Sequence, residues 1–136
     1  DYETVANHDD LQFLKDEIKN VRVVGVGEST HGTREFNLMY KKLFRYLVEE
    51  HGFNTLFLED EFAAASKLND YVNCVGACER VTADVLGKWQ WVTQEMNDLV
   101  ECIRAYNQRE VQRKISIVGI DMQDPESICG ELNSIL

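Results

Sequence analysis

The stretch Val21-Arg22-Val23-Val24-Gly25-Val26-Gly27-Glu28-Ser29-Thr30-His31-Gly32 limits what this chain can fold into more than any other. A short β-branched run bounded by turn residues reads as a buried strand over 21–26. Gly27 is expected to let the backbone leave the sheet at torsions other residues resist. Glu28 and His31 then stand just past the carboxyl end of the strand. Ligands bind at that edge of open α/β sheets.

The remaining elements follow from periodicity. Leu11, Leu14 and Ile18 predict a helix over 9–19, with Asp9 and Asp10 at its favoured negative start. Thr33 is the expected N-cap of a helix to about Glu50, with the apolar stripe Phe36, Met39, Leu43 and Leu47. Lys41, Lys42 and Arg45 add basic charge to that helix, and Gly52 stops it. A second strand is expected over 54–58, ending in Glu59, Asp60 and Glu61. A helix over 62–72, a loop around Gly76 and a short helix over 81–87 come next. Thr93 caps a helix to Gln108 whose face is Met96, Leu99, Ile103 and Tyr106. A third strand covers 115–120, where Gly119 is a point of close backbone approach, and Asp121 stands at its end. Asp124-Pro125 starts a last helix.

This order predicts an α/β fold: a parallel sheet with flanking helices, its three strands in β-α-β-α-α-β order, and a partial domain. At 136 residues the chain is about one domain in length. It begins at Asp1 and ends inside an unfinished helix, so it reads as a piece of something longer.

Lys plus Arg number 14 against 24 Asp plus Glu, a net charge of −10. So acidic a chain is a poor match to a nucleic-acid backbone. No apolar stretch approaches a membrane span, and a cytoplasmic location is expected. Cys74, Cys78, Cys102 and Cys129 are expected to be reduced thiols, with Cys102 on the apolar face of its helix. A Cys74–Cys78 disulfide is the alternative.

With parallel strands, Glu28 and His31, Glu59, and Asp121 all arrive at one sheet edge. His31 is the natural general base, and Glu28 and Glu59 are the acids able to orient it. Bland readings stand beside these: His31 bonding the loop backbone, Glu28 capping the next helix, Glu59 in a solvated turn. Asp60 and Glu61 are read as that solvated turn. Asp121 is equally a loop anchor. Arg34 suits a substrate carbonyl or a surface ion pair, and Trp89 and Trp91 a bulky substrate or the core. Glu28, His31, Glu59 and Asp121 also form a ligand set for a divalent ion, though on loop rather than helical spacing. No nucleotide-binding loop follows the first strand, and no cofactor is expected.

GESTHGTREF at Gly27 to Phe36, FLED at Phe57 to Asp60, the W-x-W pair at Trp89 and Trp91, RAYN at Arg104 to Asn107 and GIDMQ at Gly119 to Gln123 together resemble the erythromycin esterase family. The resemblance implies a hydrolase without a serine nucleophile, opening an ester or macrolide lactone. It places the water-activating base on His31 and the motif acids on Glu28 and Glu59. It implies that the chain, 1–136, is the N-terminal α/β part of the domain. A later half of the family's length would supply a further histidine and a helical region closing the cleft. The partner implied is a small-molecule ester or lactone, with no nucleic acid and no membrane. A metal-dependent hydrolase and a truncated, non-catalytic binding form remain as alternatives.

Overall fold

A computed structural model describes residues 8–110, 112–123, 125, 129, 130 and 133. The chain divides into two compact units, Asp1–Asn54 and Thr55–Leu136.

In the first unit, Asp9–Leu14 winds as a 3-10 helix that runs directly into α1 (Lys15–Ile18). The expected helix thus exists, but its first turns are the tighter form common at helix starts. α2 (Arg34–His51) follows. Gly52 ends it in a left-handed conformation, φ 72°, with its N–H on the Val48 carbonyl and the Phe53 N–H on that of Leu47. That pair of bonds satisfies the last carbonyls of the helix. Leu11, Ile18, Tyr46 and Leu47 form the core, and Leu14, Val24, Leu43 and Phe53 pack against it.

Two expectations for this unit are corrected. Residues 21–26 are not a strand: among the described residues, pairing is confined to two later strands, so the sheet has two members and not three. Only Val24 packs on the core, while Val21, Val23 and Val26 are exposed, Val23 to 76%. A β-branched run is a strand only when a neighbour accepts its ladder, and that is a tertiary fact. The buried face of α2 is also turned from the expected stripe. Of that stripe Leu47 is buried and Leu43 packs on the core, whereas Phe36 and Met39 are exposed, and Leu38, Phe44, Tyr46, Val48 and Lys42 are buried instead. Lys42 Nζ donates to Asp10 Oδ2 at 2.7 Å, which holds the Asp10 carboxyl below the usual carboxylate range.

The second unit is built on β1 (Thr55–Glu61) and β2 (Ser116–Asp121), which are parallel. α3 (Phe62–Asn73) and α4 (Gln94–Arg109) lie between them in sequence, with single 3-10 turns at Ala83–Val85 and Trp89–Trp91. The parallel crossover is the element order the sequence predicts for these residues. α3 packs on β2 and on α4. The buried residues include Leu56 and Leu58, Ala65, Leu68 and Val72, Met96, Leu99, Val100 and Ile103, and Ile117. Thr93 caps α4, its hydroxyl accepting the Met96 N–H. Cys102 is exposed, off the apolar face expected to hold it. Cys74 and Cys78 form a disulfide, not the expected free thiols; the loop turns at Gly76, φ 90°, and leaves their Cα atoms 6.5 Å apart. The last expected helix lies largely outside the described residues.

Asparagines tie β2 to the helices. The buried Asn107 side chain accepts the Ile115 N–H at 2.7 Å and donates to the Ile115 carbonyl at 2.8 Å. Asn69 accepts the Ile117 N–H at 3.0 Å. Arg104 donates to the Tyr71 and Cys74 carbonyls and lies 4.4 Å above the Tyr71 ring. The RAYN run therefore fastens the start of β2 and the end of α3. Among the described residues no helix is long and apolar enough to cross a membrane.

Replacing Asn107 by Ala strands the N–H of the buried Ile115 and leaves its carbonyl the longer bond from Asn73 at 3.4 Å. It is expected to lower unfolding free energy by about 3 kcal/mol, read from the midpoint of urea denaturation.

Candidate active site

In the first unit the GESTHG turn brings Glu28 and His31 together. His31 Nδ1 and Glu28 Oε1 are 2.5 Å apart, with the imidazole 55% exposed and the carboxylate 21%. Glu28 thus engages the ring three residues on. Thr33 starts α2 with extended backbone, and its hydroxyl meets that of Thr30 at 2.9 Å, so it does not close the helix end as a side-chain cap. The left-handed residue of this turn is Gly32, φ 74°, and not the expected Gly27. Arg34 is the first residue of α2 and is exposed.

In the second unit the site-forming end of the sheet depends on residue parity. Side chains alternate across a strand. Leu56, Leu58 and Asp60 point inward and are buried; Phe57 and Glu59 point the other way. The reading of Asp60 as a solvated acid is therefore corrected. Asp60 Oδ1 accepts the N–H of Glu61 at 2.8 Å and of Gly87 at 2.9 Å, and Oδ2 accepts that of Lys88 at 2.9 Å. A buried carboxylate needs such donors. Glu61 is not loose either, since its Oε1 accepts the Gln123 N–H at 3.0 Å.

Fixed in this way, Lys88 reaches the strand ends. Its Nζ is 3.2 Å from Glu59 Oε1 and contacts the Asp121 carboxylate. Asp121 holds the Lys88 ammonium above its ordinary value, with Glu59 adding to the effect, and Lys88 holds the Asp121 carboxyl below its own. Trp91 Nε1 donates to the Glu59 carbonyl at 3.2 Å, while the Trp89 side chain is 68% exposed. Lys88 was missed from the sequence. The available signal was its place beside W-x-W in the crossover that joins two acid-tipped strands.

Gly119 makes the end of the sheet possible. The register shifts between Leu58 and Glu61, and a Cβ on Gly119 would stand 2.5 Å from the Glu61 carbonyl oxygen and 2.7 Å from that of Asp60. That is the close approach expected at this glycine. Among the described residues, no three His, Cys, Asp or Glu side chains gather as a metal ion would need.

A parallel α/β crossover with charged side chains at the carboxyl ends of its strands defines the class to which this chain belongs. The comparisons with known proteins narrow it. The sequence model of the erythromycin esterase family matches residues 48–135. The chain is 31% identical over 119 residues to erythromycin esterase type II of Escherichia coli and 32% identical over 115 residues to erythromycin esterase type I of the same organism. Those alignments cover 85% and 83% of this chain and 27% of each relative. Among solved structures, a succinoglycan biosynthesis protein matches with TM-score 0.78 and 32% identity, over 86% of this chain and 29% of that one. An erythromycin esterase mutant in its open conformation matches with TM-score 0.67 and 31% identity, over 85% and 28%. The chain belongs to the erythromycin esterase family, and it spans about a quarter of the length of the relatives it matches.

The Lys88–Asp121 pair gives stability a defined pH dependence. Asp121 titrates below its ordinary 3.8, so its contribution is complete above that value and is lost as pH falls through the lowered one. Lys88 titrates above its ordinary 10.5, so its contribution is complete below that value and fades as pH rises through the raised one. Lys88→Met is expected to flatten both limbs of a pH–stability curve, measured by denaturant unfolding across that range. Asp60→Asn is expected to cost about 3 kcal/mol and to change the emission of Trp91, since it loosens the segment that carries the indole.

Proposed function

We propose that this chain carries the water-activating residues of a hydrolase that opens a carboxylic ester or a macrolide lactone. The reading is carried by the 2.5 Å contact between Glu28 and His31 within GESTHG. A carboxylate on Nδ1 favours the tautomer with Nδ1–H donating to Glu28, which makes Nε2 the basic nitrogen. The His31 side chain is 55% exposed.

In the proposed reaction Nε2 takes a proton from water as the water oxygen bonds to the ester carbonyl carbon. Glu28 stabilises the imidazolium that forms. The tetrahedral intermediate then expels the alkoxide, which takes the proton from His31, leaving a carboxylic acid and an alcohol. Glu59 is proposed as the further acid of the reaction on the strength of its place in FLED. Trp89 offers an exposed apolar face to a bulky substrate, and Trp91 holds the Glu59 backbone. Arg34 is proposed as an anchor for a carbonyl or anionic group, and Asp121 as a binding residue through its tie to Lys88. The relatives named for erythromycin support the substrate class.

In the whole protein containing this chain, His31→Ala is expected to lower ester or lactone hydrolysis by about 100-fold or more. Its thermal unfolding is expected to be unchanged. Glu28→Gln is expected to fall between it and the parent. Turnover at the parental rate in His31→Ala defeats the reading.

A further inference from the structure

We propose that Lys88 is a positioning residue, whose ammonium ties the Glu59 and Asp121 carboxylates into one fixed unit at the ends of β1 and β2. The proposal rests on the reading of Glu59 as an acid of the reaction and adds the group that holds it.

Three observations carry it. First, the backbone of residue 88 is held independently of its side chain, by the bond from its N–H to the buried Asp60 carboxylate. The neighbouring Gly87 N–H is held by the same carboxylate. The ammonium therefore starts from an anchored Cα. Second, the Lys88 side chain is only 18% exposed and touches both acids. Such a pair is screened less than one on the open surface. Third, the Glu59 side chain is 66% exposed, so burial does little to restrain it. The Trp91 indole fixes the Glu59 carbonyl, and Lys88 fixes its carboxylate.

Charge makes the arrangement necessary. Two carboxylates facing one another across a single ammonium would repel without it. One ammonium between two carboxylates leaves one net negative charge, with Glu59 held at a defined point. The ammonium is covalently part of the segment whose backbone the buried Asp60 carboxylate anchors.

The test uses Lys88→Met and Lys88→Arg in the whole protein, with His31→Ala as the inactive reference. Loss of positioning is expected to lower kcat about 10- to 100-fold while KM stays within about twofold. Arg, which keeps the charge and the reach, is expected to restore kcat to within about threefold of the parent. In an Asp121→Asn background the Lys88→Met loss should shrink, because the two residues act as one unit. A parental kcat in Lys88→Met, or equal losses in the Met and Arg variants, overturns the proposal. If the whole protein hydrolyses no ester or lactone, the reading of its function falls by itself. Lys88 is then decided by carboxyl-carbon NMR: in Lys88→Met the Asp121 titration must move up toward its ordinary range, and an unmoved titration overturns the proposal.

Discussion

The organisation of the second unit depends on one buried carboxylate accepting three backbone N–H groups. Asp60 is inaccessible to solvent and binds the amides of Glu61, Gly87 and Lys88. Burying a charge without donors is among the costliest acts in folding. With amide donors in place, the same charge becomes a rigid fastener between the end of β1 and a stretch 27 residues further along. That stretch has little regular structure of its own, only single 3-10 turns around Gly87. Its conformation is set from outside, by Asp60. Gly87 suits the position because a Cβ there would stand 3.3 Å from Glu61 Cγ, in the space the strand end already fills.

The three consecutive acids Glu59, Asp60 and Glu61 have three different fates for the same reason. Strand alternation sends Asp60 inward and Glu59 outward, and the register shift between Leu58 and Glu61 brings Glu61 alongside Asp121. Glu59 meets an ammonium, Asp60 meets backbone amides, and Glu61 meets the Gln123 amide. Chemistry at a strand end needs a carboxylate that is exposed and held, and only the outward position supplies both.

Much of this was legible in the residues. Apolar periodicity located α2 and α4 to within a few positions, with Gly52 and Thr93 marking ends, and the helix-favouring alanines Ala63, Ala64 and Ala65 located α3. The parallel pairing of β1 and β2 followed from a crossover of helices between two apolar runs. The Glu28–His31 contact followed from short spacing in a turn. Other features depend on tertiary placement. The run from Val21 to Val26 has strand composition yet pairs with no strand among the described residues, and composition does not report pairing. Three acids in a row suggest a solvated surface for Asp60, whereas the alternation Leu56, Leu58, Asp60 places it inside. Lys42 and Lys88 are buried or nearly so because acids distant in sequence receive them, and no local pattern announces such a partner. The Cys74–Cys78 bridge required a turn at Gly76 whose handedness spacing alone does not reveal.

A two-stranded parallel ladder is a weak structure by itself, and here side chains bind its backbone at both ends. At the start of β2, Asn107 and Asn69 accept and donate as a neighbouring strand would. At the far end, Asp60 and Glu61 bind the backbone of the segments that pass over them. The RAYN and W-x-W motifs are thus opposite anchors of one crossover: RAYN holds α3 and α4 against the entry of β2, and W-x-W, with Lys88 before it, holds the exit of β1. Gly119 lets the exit close, since any side chain there would strike the carbonyls of Asp60 and Glu61. At that exit main-chain N–H groups hold the Asp60 carboxylate, and the Met122 N–H holds Asp121, whereas the bond to the Glu59 carboxylate comes from the Lys88 ammonium.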